Sequence, residues 1–133
     1  MPALLALIIL FSGGAFVSSA KADSCWWHNG SLMRLVASGN QRWFYYERPR
    51  AGLAVQPGTL LFNGTNRNGY YVGTARVFSK YCPGTPLAYA VEGPVSPDQL
   101  GVFMRGNREI HNRCRPTGRW TTDNLEFRYS HRC

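Results

Sequence analysis

The sequence predicts an all-β fold, a small antiparallel β-barrel of about eight strands, closed or partly open, with a two-sheet β-sandwich as the alternative. Short runs rich in aromatic and β-branched residues alternate with Gly, Asn and Pro along residues 23–133. No segment shows a sustained helical period. Because a chain of this length protects its strand edges most economically by closing the sheet, the barrel is favoured over the sandwich.

Turn residues divide the chain into candidate strands. Asn29-Gly30 and Asn68-Gly69 each predict a tight hairpin turn, since both residues readily adopt positive φ. Gly73 interrupts a strand pattern, which predicts a bend, a bulge or a close approach of two backbones. A further tight turn is expected at 115–118. The predicted strands are 25–28, 31–37, 41–47, 59–62, 70–79, 87–92, 102–105, 109–114 and 125–129.

The N-terminus has the pattern of an export signal. Residues 3–11 are almost wholly apolar and residues 13–19 continue with smaller side chains, a stretch too short to cross a bilayer comfortably. A small-x-small cleavage pattern follows at 20–22. We therefore expect residues 1–22 to be a signal peptide and residues 23–133 to form one domain, periplasmic or secreted. A permanent N-terminal membrane anchor is the alternative.

All four cysteines lie in the predicted mature chain of 133 − 22 = 111 residues. An even number of cysteines in an exported domain of this size indicates two disulfides. Closing a barrel brings its first and last strands together, which places Cys25 near Cys133. The expected pairs are therefore Cys25–Cys133 and Cys82–Cys114.

A zinc site is the alternative use of the outer cysteines. Cys25-x-x-His28 near one end and His131-x-Cys133 at the other supply two thiolates and two imidazoles, a set that tetrahedral zinc accepts. An exported chain meets oxidants before it needs a metal, so we favour the disulfides and expect no cofactor.

The mature chain is strongly basic, with a formal charge of (15 − 1) − 7 = +7 once Lys21 is removed. Lys80 is its one lysine, and the other cations are arginines, whose forked guanidinium groups bind phosphate, sulfate and carboxylate. The densest run predicts an anion-binding face. Its members are Arg105, Arg108, Arg113, Arg115 and Arg119, with Trp120 beside them. The alternative is that these arginines only keep the surface soluble.

Strand alternation predicts which side chains of this run face solvent. In a strand over 109–114, Ile110 and Cys114 would mark the inner face, so His111 and Arg113 would point outward. Arg115 and Arg119 would flank the predicted turn. The expected partners are anionic polysaccharide, lipid headgroups, or an envelope or host protein. We expect no specific nucleic acid and no transmembrane segment in the mature chain.

Catalytic patterns are absent from the sequence. His28, His111 and His131 lie in no recognisable nucleophile motif, and the seven carboxylates are scattered singly. These observations predict a non-catalytic domain, with a small enzyme as the alternative.

Three stretches carry a resemblance to small, uncharacterised exported proteins of Gram-negative bacteria: Cys25-Trp-Trp-His-Asn-Gly-Ser, Gly73-Thr-Ala-Arg-Val-Phe-Ser and Cys114-Arg-Pro-Thr-Gly118. The resemblance covers nearly the whole mature chain and implies no activity. In layout the chain is also similar to the C-type lysozyme inhibitors, although their inhibitory motifs have no counterpart here. We therefore expect an exported binding module, with an inhibitor of a hydrolase such as lysozyme as a further alternative.

Overall fold

The computed structural model describes residues 23–133, and the predicted signal peptide, 1–22, lies outside the described residues. Eight strands form one closed antiparallel barrel in which each strand pairs with the next and the last pairs with the first. The strands are β1 (Ser24–His28), β2 (Ser31–Ser38), β3 (Gln41–Arg48), β4 (Leu60–Asn66), β5 (Tyr70–Val77), β6 (Leu87–Pro94), β7 (Gly101–Asn112) and β8 (Arg115–Arg132). The predicted all-β barrel is confirmed. No helix within 23–133 is long and apolar enough to cross a membrane.

The strand bounds differ from the prediction mainly in the last third of the chain. The two strands expected between 102 and 114 are one continuous strand, β7. The tight turn expected at 115–118 is wrong, because those residues begin β8. The chain reverses at Arg113-Cys114 instead, where φ is 47° and 68°. Asn29-Gly30 and Asn68-Gly69 do adopt positive φ, as the hairpin prediction requires.

The apolar core fills the middle of the barrel and follows strand alternation. Phe44 stacks on Phe127 with ring centroids 3.9 Å apart, and both side chains are fully buried. Buried neighbours come from every strand. They are Trp26, Met33, Leu35, Tyr46, Leu61, Phe62, Tyr71, Ala75, Val91, Val102, Met104 and Leu125. Burial of these side chains at roughly 25 cal/mol per Å² is the main stabilising contribution to the closed sheet.

Two facing glycines bring β4 and β5 into close contact. Gly64 and Gly73 are a cross-strand pair. A Cβ at Gly73 would lie 2.6 Å from the Gly64 Cα and 2.2 Å from the Asn63 carbonyl oxygen, so no larger residue fits. The close backbone approach is one of the three readings that the sequence allowed for Gly73.

The barrel has two chemically different ends, each tied by a disulfide. The terminal end holds the first and last described residues, Asp23 and Cys133, and the Cys25–Cys133 disulfide joins the first strand to the end of the last. The hairpin end is formed by the 29–30 turn, the 49–59 connection, the 78–86 loop and the 113–114 turn. There Cys82–Cys114 ties the 78–86 loop to the β7–β8 turn. Two disulfides are consistent with an oxidising environment.

Candidate anion-binding end of the barrel

Polar side chains replace apolar ones on the inner face at the hairpin end. Strand alternation on β8 points Leu125 and Phe127 into the core, and one step closer to the hairpin end it points Asp123 inward. On β6 the same alternation points Tyr89 inward, one step closer to the hairpin end than the core residue Val91. Asp123, Tyr89 and Leu125 line a cavity of about 350 Å³. We call it the polar chamber. Its inward polar residues are His28, Ser31, Tyr46, Tyr89, Arg108 and Asp123.

Asp123 is the centre of a hydrogen-bond network in the chamber. Its Oδ2 accepts a hydrogen bond from Arg108 Nε at 2.6 Å and another from the Tyr89 hydroxyl at 3.0 Å. The side chains of Arg108 and Asp123 are only 24% and 28% exposed. Burial, followed by the hydrogen bond to the Asp123 carboxylate, raises the pKa of Tyr89, so its hydroxyl keeps its proton.

His28 lies in the wall of the chamber and is 7% exposed. Its ring stacks on Phe127 at 4.5 Å, and its Nδ1 lies 3.0 Å from the Glu126 carbonyl oxygen. Because a carbonyl can only accept, Nδ1 carries the proton and Nε2 is an acceptor. Burial lowers the pKa of His28 and the nearby Arg50 adds to that effect, although the hydrogen bond to Glu126 opposes both. His28 is therefore neutral near pH 7.

The mouth of the chamber is electropositive. Arg50 lies there at the start of the 49–59 connection, and its backbone N–H donates to Ser31 Oγ at 3.0 Å. The charged lining consists of Arg50, Arg76 and Arg108 against Asp123. With His28 neutral, three cations less one carboxylate leave a formal charge of +2. An anion entering the chamber is therefore favoured.

A second basic group surrounds the β7–β8 turn, beside the chamber. We call it the basic tip; its members are Lys80, Arg113, Arg115 and Arg119, with the aromatic rings of Tyr81 and Trp120. Lys80 Nζ and Arg113 Cζ lie 5.2 and 5.5 Å from the centre of the Tyr81 ring. Tyr81 is 57% exposed and Trp120 is 65% exposed. Cations and flat apolar surfaces are thus available together.

The tip is held in a strained backbone conformation. Neither Arg113 nor Cys114 is a glycine, yet both adopt left-handed φ angles. Such residues cost of order 1 kcal/mol or more each, and they cluster at binding and switch regions. The disulfide from Cys114 to Cys82 anchors this turn against the 78–86 loop. Arg113 in this anchored turn lies above the Tyr81 ring.

The structure separates the arginines that the sequence grouped into one face. Arg113, Arg115, Arg119 and Trp120 do lie at the hairpin end. Arg105 lies further along β7, opposite Glu92 of β6. Arg108 is not on the outer surface, because its position in the strand alternation turns it inward to Asp123. Three of the five arginines therefore belong to the basic tip, Arg108 belongs to the polar chamber, and Arg105 belongs to neither.

Sequence reasoning missed Lys80, Tyr81 and most of the chamber. Lys80 and Tyr81 are far from the arginine run in sequence and reach it only through the Cys82–Cys114 disulfide. One pattern in the sequence could have predicted the polar chamber. Continuing the inward alternation of Leu125 and Phe127 back by one step reaches Asp123, a charged residue at a core position.

The zinc alternative does not agree with the structure. Cys25 and Cys133 are bonded to each other at the terminal end, so neither offers a thiolate. His28 lies at the opposite end of β1 from Cys25 and uses Nδ1 to contact Glu126. Within residues 23–133, no three His, Cys, Asp or Glu side chains are grouped so as to hold a metal ion.

No protein-family model matches this chain, and neither a curated protein nor a solved structure matches it.

Proposed function

We propose that the protein is an exported, non-catalytic binding module that holds an anionic polymer, such as an acidic polysaccharide or a layer of lipid headgroups, at the hairpin end. The observation that carries this proposal is the uneven distribution of charge. The cations at or beside the loops of this end are Arg48, Arg50, Arg76, Lys80, Arg108, Arg113, Arg115 and Arg119. Four carboxylates, Glu47, Glu109, Asp123 and Glu126, lie among them in the described chain.

Those four carboxylates are already engaged, and the partner of Glu126 is Arg128. Arg34 binds Glu47 through two nitrogens, at 2.8 and 3.0 Å. Glu109 accepts a hydrogen bond from the Gly118 backbone N–H at 3.0 Å, and Asp123 is held by Arg108 and Tyr89. The remaining cations therefore have few local counter-charges, which favours a polyanion as the partner.

Two features support export and a binding role. The disulfides suit an oxidising compartment, and the cleavage pattern at 20–22 explains how the chain would reach it. The aromatic rings of Tyr81 and Trp120, set beside the cations of the tip, suit contact with a polymer that has both charged and apolar surfaces.

Retention on immobilised heparin across a salt gradient tests the proposal. Binding should weaken steeply with added salt, because counterion release from the polymer drives it. Replacing both Arg113 and Arg115 with alanine should shift elution to clearly lower salt, while the melting temperature changes little since both side chains are exposed.

A matched control removes the same charge from the other end. Arg67→Ala combined with Arg132→Ala also deletes two exposed arginines, but near the terminal end. This variant should elute close to the wild-type position. Equal shifts for the two double variants would mean that net charge alone sets retention, and the proposed binding end would be wrong.

A second candidate function is inhibition of a hydrolase such as lysozyme. The basic tip favours it, because a disulfide-anchored turn carrying Arg113 beside Tyr81 suits insertion into an acidic cleft. Lysis of bacterial cell walls by a C-type lysozyme, with and without this protein, separates the two functions. Polymer binding predicts no inhibition in this assay, whereas inhibition abolished by Arg113→Ala would support the inhibitor.

A further inference from the structure

We propose that the polar chamber binds one acidic sugar, a molecule of monosaccharide size with one carboxylate and several hydroxyl groups. The link to a polymer rests on the proposed function, since this sugar would be the terminal unit of a chain held by the basic tip. Binding of the free sugar acid does not depend on that link.

Arg108 supplies the cation for the carboxylate. A guanidinium has five N–H donors, and within residues 23–133 only Nε is used, by Asp123. Four donors are therefore left on a side chain that lines the chamber. The contact with Asp123 also restricts the orientation of the group, so less conformational entropy is lost when a carboxylate binds.

The chamber also contains acceptors, which select for hydroxyl groups on the ligand. His28 Nε2 is an acceptor because Nδ1 donates to Glu126, and Asp123 has a second oxygen, Oδ1, beyond the one that holds Arg108 and Tyr89. A simple anion would leave these acceptors unpaired, and a neutral sugar would leave the guanidinium unpaired. Once a bound ligand has displaced water from these groups, each group that it leaves unpaired costs about 1–3 kcal/mol, so a ligand with both features is preferred.

The size and walls of the chamber suit a sugar ring. Its volume of about 350 Å³ is at the lower end of the range for small-molecule sites. Leu53, Val77 and Leu125 provide apolar wall, and Tyr46 packs edge-on against Phe78 at 6.1 Å. Eight-stranded barrels have interiors that are either filled by side chains or just large enough for one small ligand.

Titration of the exported protein with D-glucuronate, D-glucose, acetate and inorganic phosphate, followed by nuclear magnetic resonance, tests the inference. Glucuronate should shift the ring signals of His28 and Tyr89 and bind at least about tenfold more tightly than the other three probes. Equal binding of acetate or phosphate would show a plain anion site and overturn the sugar. Shifts confined to the basic tip would overturn the chamber.

Two chamber variants and one tip variant complete the test. Arg108→Lys keeps the charge but loses the forked geometry, so glucuronate should bind about tenfold more weakly. Tyr46→Phe removes only a hydroxyl and should weaken binding about threefold with the fold intact. Arg113→Ala with Arg115→Ala should leave glucuronate binding unchanged. Unchanged binding in both chamber variants would overturn the inference, whereas failure of heparin retention alone would overturn only the proposed function.

Discussion

Arg108 and Asp123 form an ion pair inside the barrel, with Nε 2.6 Å from Oδ2. Fifteen residues separate them in sequence, but β7 and β8 are adjacent antiparallel strands and both side chains point inward. The pair lies where the apolar core ends and the polar chamber begins. Its position makes the chamber a site with fixed donors and acceptors instead of a solvent-filled gap.

Removing one partner of this ion pair should destabilise the protein. Asp123→Ala leaves the Arg108 guanidinium and the Tyr89 hydroxyl without their partner in a site that is only about one quarter exposed. We expect a loss of about 2 kcal/mol in the free energy of unfolding, measured by urea denaturation. The double variant Arg108→Met with Asp123→Leu should recover most of that loss, because it removes both charges.

The exposed pair of Arg128 and Glu126 is the control for that series. Its side chains are 67% and 47% exposed, so Glu126→Ala should change stability by less than about 0.5 kcal/mol. A similar loss for Glu126→Ala and Asp123→Ala would contradict the special role of the internal pair.

His28 should make stability depend on pH. Its pKa in the folded protein is lowered, chiefly by burial, so below its ordinary value of 6.5 the unfolded chain takes up a proton that the folded chain refuses. The contribution of His28 to the free energy of unfolding is fully present above pH 6.5, and it decreases as the pH falls through the folded-state pKa. The titratable and charged groups that line the chamber with it are Arg50, Arg76, Arg108, Asp123, Tyr46 and Tyr89.

Urea denaturation between pH 7 and pH 5 measures this effect. The wild type should lose stability across that range, and His28→Phe, which retains an aromatic ring against Phe127, should show a smaller slope even if its absolute stability is lower. Replacement of the exposed His131 with glutamine should preserve the wild-type slope. Identical slopes for wild type and His28→Phe would refute the assignment to His28.

The barrel itself could be predicted from the sequence because its signals are local. Asn29-Gly30 and Asn68-Gly69 specify turns through backbone geometry, and the alternation around Phe127 specifies a buried face. Both kinds of signal are readable without knowing which strands pair. The β7–β8 turn was misplaced because Pro116 and Gly118 are typical turn residues, whereas the actual turn uses Arg113 and Cys114 at strained φ angles.

The candidate site could be predicted only in part, because it depends on contacts between distant segments. The cations at 113–119 were found as a run in sequence. Lys80 and Tyr81 are brought beside these cations by the disulfide between Cys82 and Cys114, which are 32 residues apart in sequence. Arg108 was assigned to the surface because charge usually indicates exposure, yet strand register places it opposite Thr121 on the inner face, next to Asp123.

Relieving the strained turn should raise stability and weaken binding. Asn adopts left-handed φ more readily than Arg, so Arg113→Asn should stabilise the protein by about 1 kcal/mol while removing the cation above Tyr81. Thermal unfolding and heparin retention measure the two effects. Arg115→Asn, at a strand position without positive φ, should weaken retention with no gain in stability. A gain in both variants would mean that strain at Arg113 is not the cause.

The two disulfides should have separable roles. In the chain-entropy description, the 108-residue separation of Cys25 and Cys133 corresponds to about 4.8 kcal/mol, and the 32-residue separation of Cys82 and Cys114 to about 3.7 kcal/mol. Replacing each pair with alanines should therefore destabilise the protein more at the terminal end than at the hairpin end, as measured by guanidinium denaturation.

Polymer binding should respond in the opposite order. Without Cys82–Cys114, the 78–86 loop is no longer tied to the β7–β8 turn, so Lys80 and Tyr81 are not held beside Arg113. Heparin retention of the Cys82→Ala, Cys114→Ala variant should fall, whereas the Cys25→Ala, Cys133→Ala variant should retain near wild-type binding at temperatures where it remains folded. Full retention in the first variant would show that the basic tip does not require its disulfide, and that the arginines act as independent surface charges.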